Sequence, residues 1–184
     1  MMKQYEEAKR ACPDALLLFR MGDFYEMFHD DAKVGAKTLG LTLTSRDKGE
    51  NAAPMAGFPH HQLESYLGKL IAAGLRAAVC DQVEDPKTAK GIVKREIVRV
   101  ITPGTVIDSS MLSSSAATYL MAVCPDKKGT TWGIALLDIS TGEFVVTTIE
   151  PDSHHQNLFS EIARYRPAEC ILPATGTEDL AERI

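Results

Sequence analysis

Four bulky side chains crowded into five positions, at Phe24, Tyr25, Met27 and Phe28, limit how this chain can fold. One buried face of a helix spans little more than ~100° and cannot take all four. The residues just before them, Ala15-Leu16-Leu17-Leu18-Phe19, form a continuous apolar run that reads as a buried strand. If the backbone stays extended through Arg20-Met21-Gly22-Asp23-Phe24-Tyr25-Glu26-Met27-Phe28, side chains two apart project to the same side, about 6–7 Å from each other. Phe24 and Glu26 then point together, and Tyr25 faces the other way. A flat apolar ring beside a carboxylate suits stacking on a nucleobase and reading its edge. The plain alternatives stay open at this point. An aromatic after a Leu-rich strand is usually core, and a single Glu is usually a solvated surface acid. Crowding puts at least one of the four bulky residues toward solvent or a ligand, but periodicity does not say which.

At 184 residues the chain suits one or two domains with a sizeable core. No apolar run approaches the ~18–20 residues of a membrane span, and Met1-Met2-Lys3-Gln4-Tyr5-Glu6-Glu7 lacks a signal-peptide core. The expectation is a cytoplasmic protein. Cys12, Cys80, Cys124 and Cys170 are widely separated, and three of them lie in apolar stretches. That reads as buried free thiols rather than disulfides or a metal site. The pairs His60-His61 and His154-His155 have no third ligand at useful spacing. The net charge of −5 is unevenly distributed. Residues 1–109 hold 15 basic and 15 acidic side chains, whereas residues 110–184 hold 5 and 10. Within the first part, Lys87, Lys90, Lys94, Arg95 and Arg99 are opposed only by Glu96. Such a run is commonly a solvated face and at times a nucleic-acid contact. The neutrality of residues 1–109 excludes a strong nonspecific coater of DNA.

Patterning predicts a helix over 2–12, the buried strand to about Met21, and a helix over 30–39 ending at Gly40. Leu41-Thr42-Leu43-Thr44 alternates like a strand, and residues 47–51 form a turn. A helix over 63–73 is followed by strands over 76–83 and 92–101, with a charged loop or helical turn over 84–91 between them. Thr102-Pro103-Gly104-Thr105 is a turn signal. Strands and helices interleave in an α/β (mixed α+β) domain, a mixed sheet with flanking helices, over residues 1–108. The Ser-rich stretch 109–117 reads as a linker. Residues 118–184 then predict three strands, a helix over 156–164 and a strand over 169–172.

The Phe24-Tyr25-Glu26 motif resembles the Phe-x-Glu signature of the mismatch-recognition domain of the MutS family of DNA repair proteins. Further blocks carry the resemblance in order: Pro54-Met55-Ala56-Gly57-Phe58-Pro59, Ala78-Val79-Cys80-Asp81-Gln82-Val83, Asp85-Pro86, and Val98-Arg99-Val100-Ile101-Thr102-Pro103-Gly104-Thr105. The chain departs from many bacterial relatives at Gly49–Ala53, Phe58 and His60-His61. The resemblance implies that Phe24 wedges into mismatched duplex DNA and that Glu26 hydrogen-bonds the base stacked on it. Met55-Ala56-Gly57 resembles a loop following the groove beside the wedge; the alternative is an ordinary turn between two prolines. Arg76 and Arg99 resemble positions near the DNA backbone. Residues 118–184 resemble the N-terminal part of the family's connector domain, a partial RNase H-like α/β domain, so the chain reads as a fragment. In full-length relatives the resemblance implies a homodimer, a MutL-type repair partner, and ATP and Mg²⁺ used elsewhere in the protein. No cofactor is expected in this fragment.

Two other functional classes remain. An RNase H-like nuclease needs clustered carboxylates to hold divalent metal. Here the strand over 119–123 carries no acid, Asp138 sits alone mid-strand, and Glu143 follows the next turn. A P-loop, Gly-x-x-x-x-Gly-Lys-[Ser/Thr], is also absent from the sequence. The other class, a protein-interaction module without direct DNA binding, fits the acidic second part. The reading is therefore a non-enzymatic binding fragment.

Overall fold

The computed structural model describes residues 1–45, 52–85, 87–108, 111, 117–175 and 177–184. The expected turn over 47–51 and most of the Ser-rich stretch 109–117 lie outside the described residues. Contacts divide the chain into two compact units, Met1–Thr102 and Pro103–Ile184.

The first unit runs α1 (Met2–Ala11), β1 (Leu16–Met21), β2 (Phe24–Phe28), α2 (His29–Leu39), β3 (Thr44–Ser45) and β4 (Pro54–Pro59). A 3₁₀ turn (His60–Gln62), α3 (Leu63–Ala72), β5 (Ala77–Gln82) and β6 (Arg95–Ile101) complete it. The strands form one mixed sheet in the order β3-β4-β2-β1-β5-β6. β1 runs parallel to β5, and the other pairs are antiparallel. This arrangement accounts for the apolar run at its centre. β1 has helices on both sides, so Leu16, Leu17, Leu18 and Phe19 are all buried. On one face α1 covers Leu17, Phe19 and Phe28 through Tyr5, whose ring meets Phe19 and Phe28 edge-on at 5.6 and 5.0 Å. On the other face Gly35 of α2 lies against Met27, and Tyr66 of α3 stacks on Phe58 at 4.3 Å.

Three readings of this unit need correction. Leu41, Thr42 and Leu43 do not form a strand, and only Thr44–Ser45 pairs with β4. Gly40 caps α2 at φ +69, and the Leu41 N–H donates back to the Ala36 carbonyl at 3.0 Å. The alternating residues are therefore the exit from a helix. Met55-Ala56-Gly57 is neither a loop nor a turn but the middle of β4. Its prolines occupy the first and last strand positions, where a missing N–H costs little. The last strand begins at Arg95 rather than Ile92. The thiols also differ from expectation: all four cysteines are free, but only Cys80 is buried, Cys12 and Cys170 are half-buried, and Cys124 is exposed.

The second unit opens with a 3₁₀ turn (Pro103–Thr105). It continues through β7 (Tyr119–Pro125), β8 (Trp132–Asp138), β9 (Glu143–Ile149), α4 (Gln156–Tyr165), β10 (Glu169–Ile171) and α5 (Glu178–Ala181). The sheet order is β10-β7-β8-β9, with β10 parallel to β7 and the other pairs antiparallel. Met121, Val123, Trp132, Ile134 and Leu136 alternate onto one face and pack with Leu158 and Leu180. Asp138 ends β8 rather than standing mid-strand. Its carboxylate accepts hydrogen bonds from Ser140 Oγ at 2.6 Å, Ser140 N at 2.9 Å and Thr118 N at 3.2 Å. It is a turn anchor. The Ser140 hydroxyl, helped by backbone N–H groups and opposed by burial, holds this carboxyl below its ordinary 3.8. A depressed folded-state pKa contributes stability above the unfolded-state value that disappears as pH falls through the folded-state value. Asp138→Asn should therefore flatten the acid limb of the pH–stability curve. Asp138→Ala should cost about 1–3 kcal/mol by orphaning those donors. Thermal melts from pH 2 to 7 read both effects, and superimposable curves would exclude the anchoring role.

Candidate nucleic-acid interface

β1 and β2 form a two-residue hairpin in which Met21 pairs with Phe24 around Gly22 and Asp23. Gly22 has φ +59, the conformation that a type II′ hairpin turn requires at its first central residue. The following residues stay extended, so alternate side chains separate cleanly. Tyr25 is 2% exposed on the α2–α3 face, against Phe58. Phe24 is 46% exposed on the opposite face, beyond the reach of α1. Glu26, half-buried, projects on the same side as Phe24. The ring is not core.

The neighbouring strand completes the surface. In the β2–β4 ladder Glu26 pairs with Gly57 and Phe28 with Met55, so Met55 and Gly57 lie on the Phe24 face. The exit of α2 (Gly40, Leu41, Thr42) and Thr44 rise beside them. Phe24, Glu26, Met55 and Gly57 with these four residues bound an open groove of about 510 Å³. The sequence reading missed the α2-exit wall, because Leu41–Thr44 passed for a strand. The only local signal was Gly40 closing the preceding helix.

The other candidates lie elsewhere. Ala56 is 0% exposed and points into the α2 side of the sheet. Arg99 is on β6, three strand spacings from β2, or about 14 Å. It pairs with Val79 on the α3 face, opposite Phe24, and its guanidinium donates to Glu64 at 2.8 Å. Arg76 is exposed just before β5, at the end of the sheet remote from the hairpin. Leu16 and Met21, the two ends of β1, are five residue steps apart, about 17 Å. The basic run is also partly neutralised by contacts within the unit. Lys94 pairs with Glu96, and Arg95 Nε donates to the Arg20 carbonyl at 2.6 Å while its guanidinium lies over Phe19.

Polar chemistry under the hairpin is well satisfied. The Tyr25 hydroxyl donates to Asp81 Oδ2 at 2.8 Å. Burial first, and the Asp81 carboxylate second, push this phenol up to about 12. Among the described residues, no three His, Cys, Asp or Glu side chains cluster in a way that could hold a metal ion. No described helix is long and apolar enough to cross a membrane.

Gly57 is the tight point of the site. A Cβ there would sit 2.9 Å from the Tyr25 carbonyl oxygen and 3.3 Å from Glu26 Cγ. The carbonyl belongs to the strand and cannot swing aside, so Gly57→Ala should cost about 1–3 kcal/mol as overpacking does. For a unit of this size that lowers Tm by roughly 4–8 °C per kcal/mol. A melt unchanged from wild type would mean that the ladder relaxes at no cost.

Comparison with known proteins agrees with this architecture. The model of MutS domain I matches residues 1–110, and that of MutS domain II matches residues 118–183. Curated relatives named DNA mismatch repair protein MutS include those of Methanosarcina barkeri (52% identical) and Methanosarcina mazei (50%). Each alignment covers 100% of this chain and 22% of the relative. The protein from Rhodopirellula baltica is 53% identical over 93% of the chain and 21% of its own length. The chain thus spans about one fifth of the length of these relatives. With two successive domain models matched in order and half of its residues shared with such proteins, the chain belongs to the MutS family.

Proposed function

We propose that the first unit recognises mispaired or unpaired bases in duplex DNA and so initiates mismatch repair, with Phe24 as wedge and Glu26 as the group that hydrogen-bonds the stacked base. The observation that carries this reading is the exposed Phe24 ring aligned with Glu26 on an open stretch of sheet. A half-exposed ring at a hairpin tip, aligned with a carboxylate and bordering an open groove, is shaped to receive a flat ligand. Inserted from the minor groove, such a ring unstacks a base step and kinks the duplex. Unstacking costs a few kcal/mol in paired DNA and less at a mispair, so the site responds to deformability rather than to one sequence. Glu26 repels phosphate and is compensated only where a base edge offers a hydrogen bond, which works against paired DNA. Met55 and Gly57 line the groove through side chain and backbone respectively, and Ala56 takes part through its backbone. Arg76 enters the proposal as a contact to phosphates away from the kinked step; Arg99, on the face opposite Phe24 and held by Glu64, does not.

The chain carries no catalysis in this proposal, and the second unit, which is strongly acidic, makes no duplex contact. A full-length protein would be cytoplasmic and homodimeric, would engage a MutL-type partner, and would use ATP and Mg²⁺ outside these residues. Fluorescence anisotropy with mispaired and matched duplexes of identical length, with and without Mg²⁺, tests the reading. Preference for the mispair without strand cleavage is expected. Equal binding to both duplexes would overturn mispair recognition, no binding at any concentration would favour a protein-interaction module, and metal-dependent nicking would favour the nuclease.

A further inference from the structure

We propose that Arg20 and Asp81 are positioning residues that clamp the β1–β2 hairpin so that Phe24 is held rigidly enough to open a base step; this rests on the wedge reading above. The turn consists of Gly22 and Asp23, and each of its carbonyls is gripped from outside the turn. Arg20 Nε donates to the Gly22 carbonyl. The backbone N–H of His60, continuing β4, donates to the Asp23 carbonyl at 2.8 Å. Arg20 is itself held: its guanidinium lies 3.6 Å from Asp81 Oδ1 and over the Tyr25 ring, 5.5 Å from the centroid. Asp81 accepts the Tyr25 hydroxyl through Oδ2 and the Gln82 N–H through Oδ1, at 2.8 and 2.7 Å. The residues on both sides of Phe24 are therefore fixed, Asp23 by its carbonyl and Tyr25 by its ring and hydroxyl.

Mechanics makes this matter. A wedge transmits force to the base stack only if the hairpin yields less readily than the DNA. A two-residue turn built on a glycine is compliant, and its tip is where a sheet opens first. The Arg20–Asp81 pair ties that tip to β5, on the far side of the central strand from β2. Both partners are partly solvated, so the pair adds little to global stability. Its effect is concentrated on the turn.

The test uses Arg20→Gln, Arg20→Lys and Asp81→Asn in the 184-residue chain, alone and grafted onto the remainder of a full-length relative, with Phe24→Ala as reference. Amide exchange at residues 23–25, melting temperature, and the affinity ratio for mispaired over matched duplex are measured. Arg20→Gln and Asp81→Asn should lose exchange protection at the tip and lower the ratio about tenfold, with matched-duplex affinity and Tm near wild type. Arg20→Lys should restore little, since an ammonium lacks the fork that spans the Gly22 carbonyl and Asp81. In the Phe24→Ala background the same substitutions should leave the ratio unchanged, and a merely structural role would instead lower Tm and loosen exchange beyond residues 23–25. If Phe24→Ala abolishes the preference while the Arg20 and Asp81 variants keep both preference and protection, the clamp alone is overturned. If Phe24→Ala itself is neutral, the wedge reading fails and the clamp falls with it.

Discussion

Replacing Phe24 with alanine should abolish most of the preference for a mispaired duplex while leaving the fold nearly intact. Base–aromatic stacking is worth about 1–3 kcal/mol by truncation, or roughly 5- to 150-fold in affinity. The ring is 46% exposed and is not among the buried core residues, so its removal leaves no enclosed cavity. Its neighbours give the contrast. Tyr25, Met27 and Phe28 are each almost fully buried, and truncating any of them should cost about 2–5 kcal/mol in stability. Melts alongside titrations in the 184-residue chain and in the full-length graft separate the two kinds of effect. A Tm that drops by many degrees in Phe24→Ala while mispair preference survives would make the ring a packing residue.

The second large effect is expected at Glu26, where two accounts of a carboxylate near DNA predict different outcomes. If the group only repels phosphate, Glu26→Ala should tighten binding to matched and mispaired duplexes equally. If it also hydrogen-bonds the stacked base, the gain should be greater on matched DNA. The preference should then shrink by about 0.5–3 kcal/mol, the range for a hydrogen bond involving a charged group. Glu26→Gln keeps the shape and a hydrogen-bonding group without the charge. We expect it to bind both duplexes more tightly, with reduced discrimination and a steeper salt dependence. Titrations at two salt concentrations decide the matter. Identical affinities for wild type, Ala and Gln would place Glu26 off the DNA, and the pairing with Phe24 would lose its meaning.

Residues 15–28 show how far local pattern reaches in this protein. An apolar run with no alternation must be buried on both faces, and β1 is. Four bulky residues in five positions cannot share one face, and the period of two in an extended chain sends Phe24 and Glu26 one way and Tyr25 the other. These inferences succeed because the determining contacts lie within a few residues. The motif blocks also sufficed for the family. What lay beyond the sequence depends on which distant strands pair. Two prolines concealed β4, yet its register places Gly57 opposite Glu26 and Met55 opposite Phe28, turning a two-residue motif into a walled groove. The same pairing rule buries Ala56 between them. Leu41–Thr44 has the alternation of a strand but serves as the exit of a helix, because Gly40 turns the chain and Ala36 takes the Leu41 N–H. Arg99 shares a sheet with Phe24 and faces the other side, at the far edge. Asp81, distant in sequence from Arg20 and Tyr25, meets both only because β5 lies parallel to β1. The sequence by itself determined that the chain has a buried central strand, an aromatic and an acid on one side of the next, and its family. Tertiary structure alone decided what stands beside that pair and what holds it, because strand register is set by packing across the whole sheet and not by any short window of residues.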